Sequence, residues 1–254
     1  MTQAEWMARI EKASLFAWPP RETAAHCGWL LRGGGGHSRR LNSAATLAFE
    51  DAVGATLEDA VGHVERWYEE RDAPPCFQLC DHARPAALDD FLARRGYAGL
   101  TETSVMTAAI DPGASAGHDV ILEGRPTALV MNAIADPLWS PAVRAARAAV
   151  MNRIRRPLAF AVIAVDGVPR AGGLCVVDGE LAGVFSVRSD PAFRRQGLAR
   201  SLMARLTGWA HGMGAKSFYL QVENENAPAL ALYRSLGFET VYGYHYRQLG
   251  EGKA

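Results

Sequence analysis

The chain has no excess of charge of either sign: across 254 residues, 27 Lys and Arg offset 27 Asp and Glu. Binding to a nucleic-acid backbone needs a net basic surface, so this balance argues against nucleic acid as a partner. Long apolar runs are missing as well. The longest candidate, Leu158 to Val165, has the length of a strand and is far shorter than the roughly 18–20 residues that cross a bilayer, so no membrane partner is expected. The opening Met1-Thr2-Gln3-Ala4-Glu5-Trp6 lacks a basic segment followed by an apolar core, and nothing in it points to export. Cysteine is sparse. Cys27, Cys76, Cys80 and Cys175 have the spacing of neither a zinc site nor a disulfide framework, so no metal is expected. Cys76 and Cys80 flank the strand-like Phe77-Gln78-Leu79 and read as buried thiols. These absences together describe a soluble, cytoplasmic protein in a reducing compartment. Its apolar content suffices for one large domain or two small ones.

The informative stretch is Arg194-Arg195-Gln196-Gly197-Leu198-Ala199. Upstream, Leu181–Val187 reads as a buried strand that ends at Asp190-Pro191. Downstream, Leu198, Leu202, Leu206 and Trp209 fall on one face of a helix. A strand, a glycine turn and a helix make a site for a phosphate group. The first-turn N–H groups are free, the helix dipole adds positive charge, and glycine permits close approach. Arg194, Arg195 and Arg200 add full charges to the same turn. Next come a strand at Lys216–Val222, Asn226, and a short helix Ala227–Leu236 carrying Tyr233. That helix is closed by Gly237-Phe238, and a last strand spans Tyr242–Arg247.

From Val187 to Phe238 the chain resembles the acyl-CoA site of the GNAT superfamily of N-acyltransferases. The family signature Gln/Arg-x-x-Gly-x-Gly/Ala is met by Arg194, Gly197 and Ala199. The second signature, Asn-x-x-Ala-x-x-x-Tyr followed by Gly-Phe, is met by Asn226, Ala229, Tyr233 and Gly237-Phe238. The close match covers about the last third of the chain. It implies a mixed α/β (α+β) sheet and a cytoplasmic N-acetyltransferase that uses acetyl-CoA and an amine acceptor, as a monomer or homodimer. The resemblance places the pyrophosphate on Arg195, Gln196, Gly197, Leu198, Ala199 and Arg200. It sets Val187, Arg188 and Ser189 along the pantetheine arm and the acyl carbonyl, with Asn226 bonding that arm or fixing its loop. Tyr233 becomes the candidate proton donor to the thiolate, because a phenol with a pKa of about 10 is protonated at neutral pH. A packing role on its short helix is the competing reading. Relatives that acetylate proteins can carry a glutamate five residues before the motif asparagine; here that position is Gln221, which cannot act as a base. Glu223, with Glu225 behind it, His245 or water stay open as substitutes, and the acceptor stays open with them. A rival reading is a non-catalytic acyl-CoA-binding or protein-interaction module.

The two halves of the chain share a rhythm. A shift of 141 residues carries Leu57 onto Leu198, Val61 onto Leu202, Phe77 onto Phe218, Leu79 onto Leu220, Gly96 onto Gly237 and Tyr97 onto Phe238. The pattern predicts two tandem GNAT-like folds, a degenerate one over residues 1–112 and a working one over 118–254, joined by Asp111–Gly117. The first half has Val53-Gly54-Ala55-Thr56 where the second has its basic turn, Pro85 in place of Asn226, and Leu92 in place of Tyr233. Gly33-Gly34-Gly35-Gly36-His37 lacks the Lys-Ser/Thr of a P-loop and reads as a flexible hairpin. Arg39-Arg40-Leu41-Asn42-Ser43 lines a substrate cleft or is a solvated strand edge. In the second half, Asp119–Leu122 reads as a strand, Thr127–Ala135 and Pro141–Arg153 as helices, and Pro157–Val165 and Leu174–Val177 as strands around Asp166-Gly167. Trp139, between the two helices, is a candidate for the acceptor pocket or the core.

Overall fold

A capping box opens the chain. The Thr2 hydroxyl accepts from the Glu5 N–H at 3.2 Å, the Glu5 carboxylate accepts from the Thr2 N–H at 2.7 Å, and helix α1 follows over Gln3–Ala17. The computed structural model describes residues 2–34, 38–48, 56–81, 83–113 and 115–250. After α1 come β1 (Glu22–His26), β2 (Trp29–Gly33), β3 (Ala44–Ala45), α2 (Leu57–Glu69), β4 (Cys76–Cys80), α3 (Leu88–Arg94) and β5 (Ala98–Ala109). The second series is β6 (Ile121–Glu123), α4 (Ala128–Ile134), α5 (Pro141–Arg153), β7 (Leu158–Val165), β8 (Val168–Asp178), β9 (Leu181–Ser189), α6 (Leu198–Gly212), β10 (Ser217–Glu223), α7 (Ala227–Ser235) and β11 (Glu239–Gln248).

The repeat seen in the sequence is a repeat of structure. Elements α2 and α6 begin at Leu57 and Leu198, β4 and β10 at Cys76 and Ser217, β5 and β11 at Ala98 and Glu239, each pair 141 residues apart. Gly96 and Gly237, which turn the chain into the last strand of each half, both lie at positive φ, 89° and 81°. The earlier hairpin keeps a slightly different spacing of 139 residues. Cys27-Gly28 between β1 and β2, and Asp166-Gly167 between β7 and β8, all have positive φ, as a type I′ turn requires. Strand β2 ends at Gly33 and pairs antiparallel with β3 after a connection that includes the turn Arg39–Leu41. Gly35-Gly36-His37 and Val53-Gly54-Ala55 lie outside the described residues.

Among the described residues, the eleven strands form one mixed sheet in the order β1-β2-β3-β4-β11-β5-β10-β9-β8-β7-β6. The last strand of each half pairs with the other half. Strand β5 runs antiparallel to β10 from Ser217↔Ala109 to Glu223↔Thr103, and β11 runs antiparallel to β4 from Tyr244↔Cys80 to Gln248↔Cys76. Strands β5 and β11 pair with each other at the centre. The sheet is covered on both faces. In β7, Phe160 and Val162 pack with α1, α4 and α5, whereas Ala159, Ala161 and Ile163 pack with α6 and α7, as period-two alternation demands. Helices α2 and α3 cover Trp29, Leu31, Phe77 and Leu79 of the first half. Cys76, Cys80 and Cys175 are buried cysteines, and burial pushes the Cys76 thiol up to about 12.

Two features open the sheet at its working place. Strands β9 and β10 are parallel, but they pair only from Ser217↔Leu181 to Leu220↔Val184; beyond that both continue unpaired on that side. Strand β9 also carries a bulge. Gly172 faces Arg188 and Leu174 faces Phe185, so β9 holds one extra residue in this stretch, and Ser186 within it has a φ of 52°.

Candidate active site

At the end of β9 the chain makes a short 3-10 turn, Pro191–Phe193, held by the Asp190 carboxylate accepting from the Ala192 N–H at 3.0 Å. Arg195 and Gly197 then adopt left-handed conformations, φ 61° and 82°, and α6 begins. Gly197 is its N-cap and offers no side-chain oxygen. The first bond reaching back to the cap comes from Ser201 N–H to the Gly197 carbonyl at 2.9 Å. The N–H groups of Leu198, Ala199 and Arg200 therefore have no acceptor within the helix. The His118 ring braces the turn at 2.8 Å from the Gln196 carbonyl. Arg195, Gln196 and Gly197 are exposed. The turn is thus an open, electropositive cradle. The Arg200 guanidinium does not face it freely, since it donates to Ser235 Oγ at 2.9 Å and ties α6 to α7.

The splay of β9 exposes backbone donors. Asp190 N–H bonds the Arg170 carbonyl on β8 at 2.7 Å. Alternation along an extended strand then turns Arg188 toward β8 and leaves the amides of Ser189 and Val187 facing the side where pairing with β10 has ended. Arg188 departs from the expectation of a direct contact: its backbone belongs to the β8 ladder and its guanidinium bonds Asp136 at 2.7 Å.

Between the splayed strands lies a cavity of about 780 Å³. Phe185, Ser186 and Val187 of β9, Gln221 and Glu223 of β10, and Asn226, Ala229 and Tyr233 of the following turn and α7 form one wall. Trp139, Val143, Arg147 and Val150 at α5 form another. The remaining wall comes from the first half and β11: Trp18, Arg39, Arg40, Leu41, Tyr244 and Tyr246. Of the two readings of Arg39–Ser43, the cleft is the one observed for Arg39, Arg40 and Leu41, which form a single 3-10 turn. Trp139 lines the pocket rather than the core, stacked beneath Arg147 at 4.1 Å.

Tyr233 is buried beside Phe238, ring centroids 5.6 Å apart, and reaches the cavity. Its phenol departs from the ordinary value assumed from sequence, because burial pushes it up to about 12. The Asn226 side-chain oxygen caps α7, accepting from Ala229 N–H at 3.2 Å, which fixes the loop. Gln221 is locked at both ends: its carbonyl accepts from Tyr244 OH at 2.9 Å and its NH₂ donates to Ser14 Oγ at 3.1 Å. Glu223 lines the cavity and is exposed to solvent. His245 does not reach the site. On β11 the residues Tyr242, Tyr244 and Tyr246 face the α1 core, so His245 points the other way, toward α3, where it contacts Asp89 at 3.1 Å. Glu225 is exposed and is not part of the wall. Among the described residues no cluster of His, Cys, Asp or Glu could hold a metal ion, and no helix is long and apolar enough to cross a membrane.

Sequence reasoning missed two contributors. Helix α1 supplies Ser14 to Gln221 and a buried Glu11 that accepts from Tyr242 OH at 2.7 Å. Trp18, just past α1, lines the cavity. The capping-box pattern Thr2-x-x-Glu5 was the available signal for this helix.

The family model described as "Probable histone acetyltransferase Rv0428c C-terminal" matches residues 7–247. The N-acetyltransferase YobR of Bacillus subtilis (strain 168) is 27% identical over 246 residues, covering 94% of this chain and 97% of its own. Among solved structures, a GCN5-related N-acetyltransferase from Kribbella flavida shares the fold with a TM-score of 0.67 at 21% identity, over 96% of each chain. A tandem GNAT protein from the clavulanic acid biosynthesis pathway shares it with a TM-score of 0.63 at 13% identity, over 100% of this chain and 98% of that one.

Proposed function

The chain belongs to the family of the Rv0428c C-terminal region and with it to the GNAT N-acetyltransferases, and from that premise we propose that it transfers the acetyl group of acetyl-CoA to a primary amine by direct attack in a ternary complex. The observation that carries this reading is the opening between β9 and β10, with the unpaired amides of Val187 and Ser189 on one edge and the left-handed Gly197 cradle at its end. Acetyl-CoA supplies a thioester whose carbonyl is open to attack.

The residues of the chain divide the remaining work. Backbone N–H groups of Arg195 to Arg200, with the side chain of Arg195, hold the pyrophosphate at the positive end of α6. The Val187 and Ser189 amides replace the missing ladder partner with the pantetheine arm, and one of them donates to the oxyanion that develops on the carbonyl. A fixed donor of this kind contributes roughly 3–4 kcal/mol in known acyl-transfer sites. Tyr233 protonates the departing thiolate, since its phenol is neutral throughout the physiological range. Gln221 anchors the floor and takes no proton. Glu223, the exposed carboxylate of the cavity wall, takes a proton from the acceptor ammonium through water, and the neutral amine then attacks the carbonyl. Calorimetric titration with acetyl-CoA, followed by thiol release against a panel of amines, tests the reading. Saturable binding with amine-dependent release supports it, and absence of coenzyme binding overturns it.

A further inference from the structure

Three arginines line the acceptor end of the cavity: Arg39 donates to Gln248 Oε1 at 3.1 Å, and Arg40 and Arg147 have no carboxylate partner. Arg40 donates to the Tyr244 hydroxyl at 3.5 Å and lies over the Phe185 ring at 5.6 Å; Arg147 lies over Trp139 at 4.1 Å. Both line the same cavity, and among the described residues neither forms an ion pair, whereas Arg71, Arg95, Arg156, Arg170, Arg188 and Arg247 all do. Burial, and next the charge of Arg40, pull Arg147 below the ordinary guanidinium value, so the two cations sense each other across the space. One buried carboxylate acts on Arg40: against the opposing effect of burial, the tyrosines of β11 and then Glu11 hold its guanidinium above the ordinary value, but Glu11 bonds Tyr242 and Gln78 and forms no ion pair with it. Nothing on the wall does the same for Arg147: Asp136 is neutralised by Arg188 at 2.7 Å, Gln221 is a neutral amide, and Glu223 sits apart at the end of β10. Like charges gathered in a partly desolvated pocket disfavour each other unless an anion joins them. A guanidinium stacked on an aromatic ring keeps its N–H edge available for an oxyacid.

We propose that the acceptor amine carries an anionic oxyacid group, a carboxylate or a phosphate, which Arg40 and Arg147 bind while the amine faces the thioester. The inference rests on the acetyltransferase reading above and narrows its acceptor. It also sets this pocket against a lysine-rich peptide, whose cations would meet the same two guanidiniums.

The test compares matched acceptors with acetyl-CoA: phenylalanine against phenylalaninamide and phenethylamine, O-phosphoethanolamine against ethanolamine, and a lysine-rich peptide. Rates are corrected for the fraction of neutral amine. The expected result is a kcat/KM preference of roughly 10–100-fold for an acid over its uncharged partner, the range of one or two charge-assisted hydrogen bonds. The pair that responds identifies the acid as carboxylate or phosphate. In Arg147→Gln and in Arg40→Gln that preference collapses toward unity while coenzyme affinity holds. Equal or better turnover of the neutral amines or the basic peptide by the unaltered enzyme overturns the inference and leaves the acetyltransferase reading standing. Failure of acetyl-CoA to bind overturns both.

Discussion

At Tyr233 the surroundings change what the side chain can do. Burial alone lifts its pKa to about 12. A raised pKa means the proton stays on to higher pH, so the donor remains competent up to about pH 12 rather than 10. The kcat of the enzyme is therefore expected to show no alkaline decline from this residue below about pH 11, measured by thiol release. Tyr233→Phe keeps the ring against Phe238 and removes only the hydroxyl. We expect kcat to fall roughly 10²–10⁴-fold with coenzyme affinity nearly unchanged, and full turnover would leave Tyr233 a packing role. The identity of this residue was legible in the sequence through its spacing from Asn226; its pKa was not, because burial is set by Phe238 packing against it, with Phe218 stacked behind Phe238. His245 shows the converse. As a lone histidine it was a fair candidate base, and only the strand alternation of β11 turns it away from the cavity toward Asp89.

The helix α6 and its preceding turn were the most readable element of the chain, since strand, glycine and amphipathic helix are all local signals. The start of α6 at Leu198 follows from them. The splay of β9 from β10 was not readable from local pattern, because the end of a pairing depends on strands far apart in sequence, and the bulge at Ser186 has no glycine to announce it. The turn itself is testable with one substitution. A Cβ on Gly197 meets only His118 Nε2 at 4.0 Å, so there is room, but φ is 82°. An L-residue there costs about 1–2 kcal/mol, which a domain with roughly 5–15 kcal/mol of stability tolerates. Gly197→Ala is expected to weaken acetyl-CoA severalfold. Gly197→Glu, with the same strain plus a carboxylate facing the cradle, is expected to abolish binding in a folded chain. Calorimetry with circular dichroism separates the two effects, and unchanged affinity in the glutamate variant would remove the turn from the site.

For the whole molecule, the tandem reading at residues 1–112 and 118–254 is a proposal that the 141-residue repeat of elements supports, and the strand order gives it a consequence the sequence could not supply. Counterparts of the chemical residues are absent from the first half: Leu92 is buried among Trp29, Phe77 and Tyr97, and α3 starts without a side-chain cap where α7 has Asn226. One coenzyme per chain is therefore expected. Yet the first half is not dispensable, because it supplies Arg40 and Trp18 to the cavity and β5 to the sheet. A fragment of residues 118–254 would keep β9 beside β10 but lose its β5 neighbour from Ser217 to Glu223, and both neighbours of β11. Unpaired edges and an uncovered apolar face favour aggregation. We expect that fragment alone to be insoluble, and to become soluble when it is co-expressed with residues 1–112. A chain cleaved near Gly113 should stay together through gel filtration, because the exchanged strands hold it without the peptide bond. Independent folding of the 118–254 fragment, with acetyl-CoA bound, would show that the exchanged strands are ornament to a self-sufficient second half.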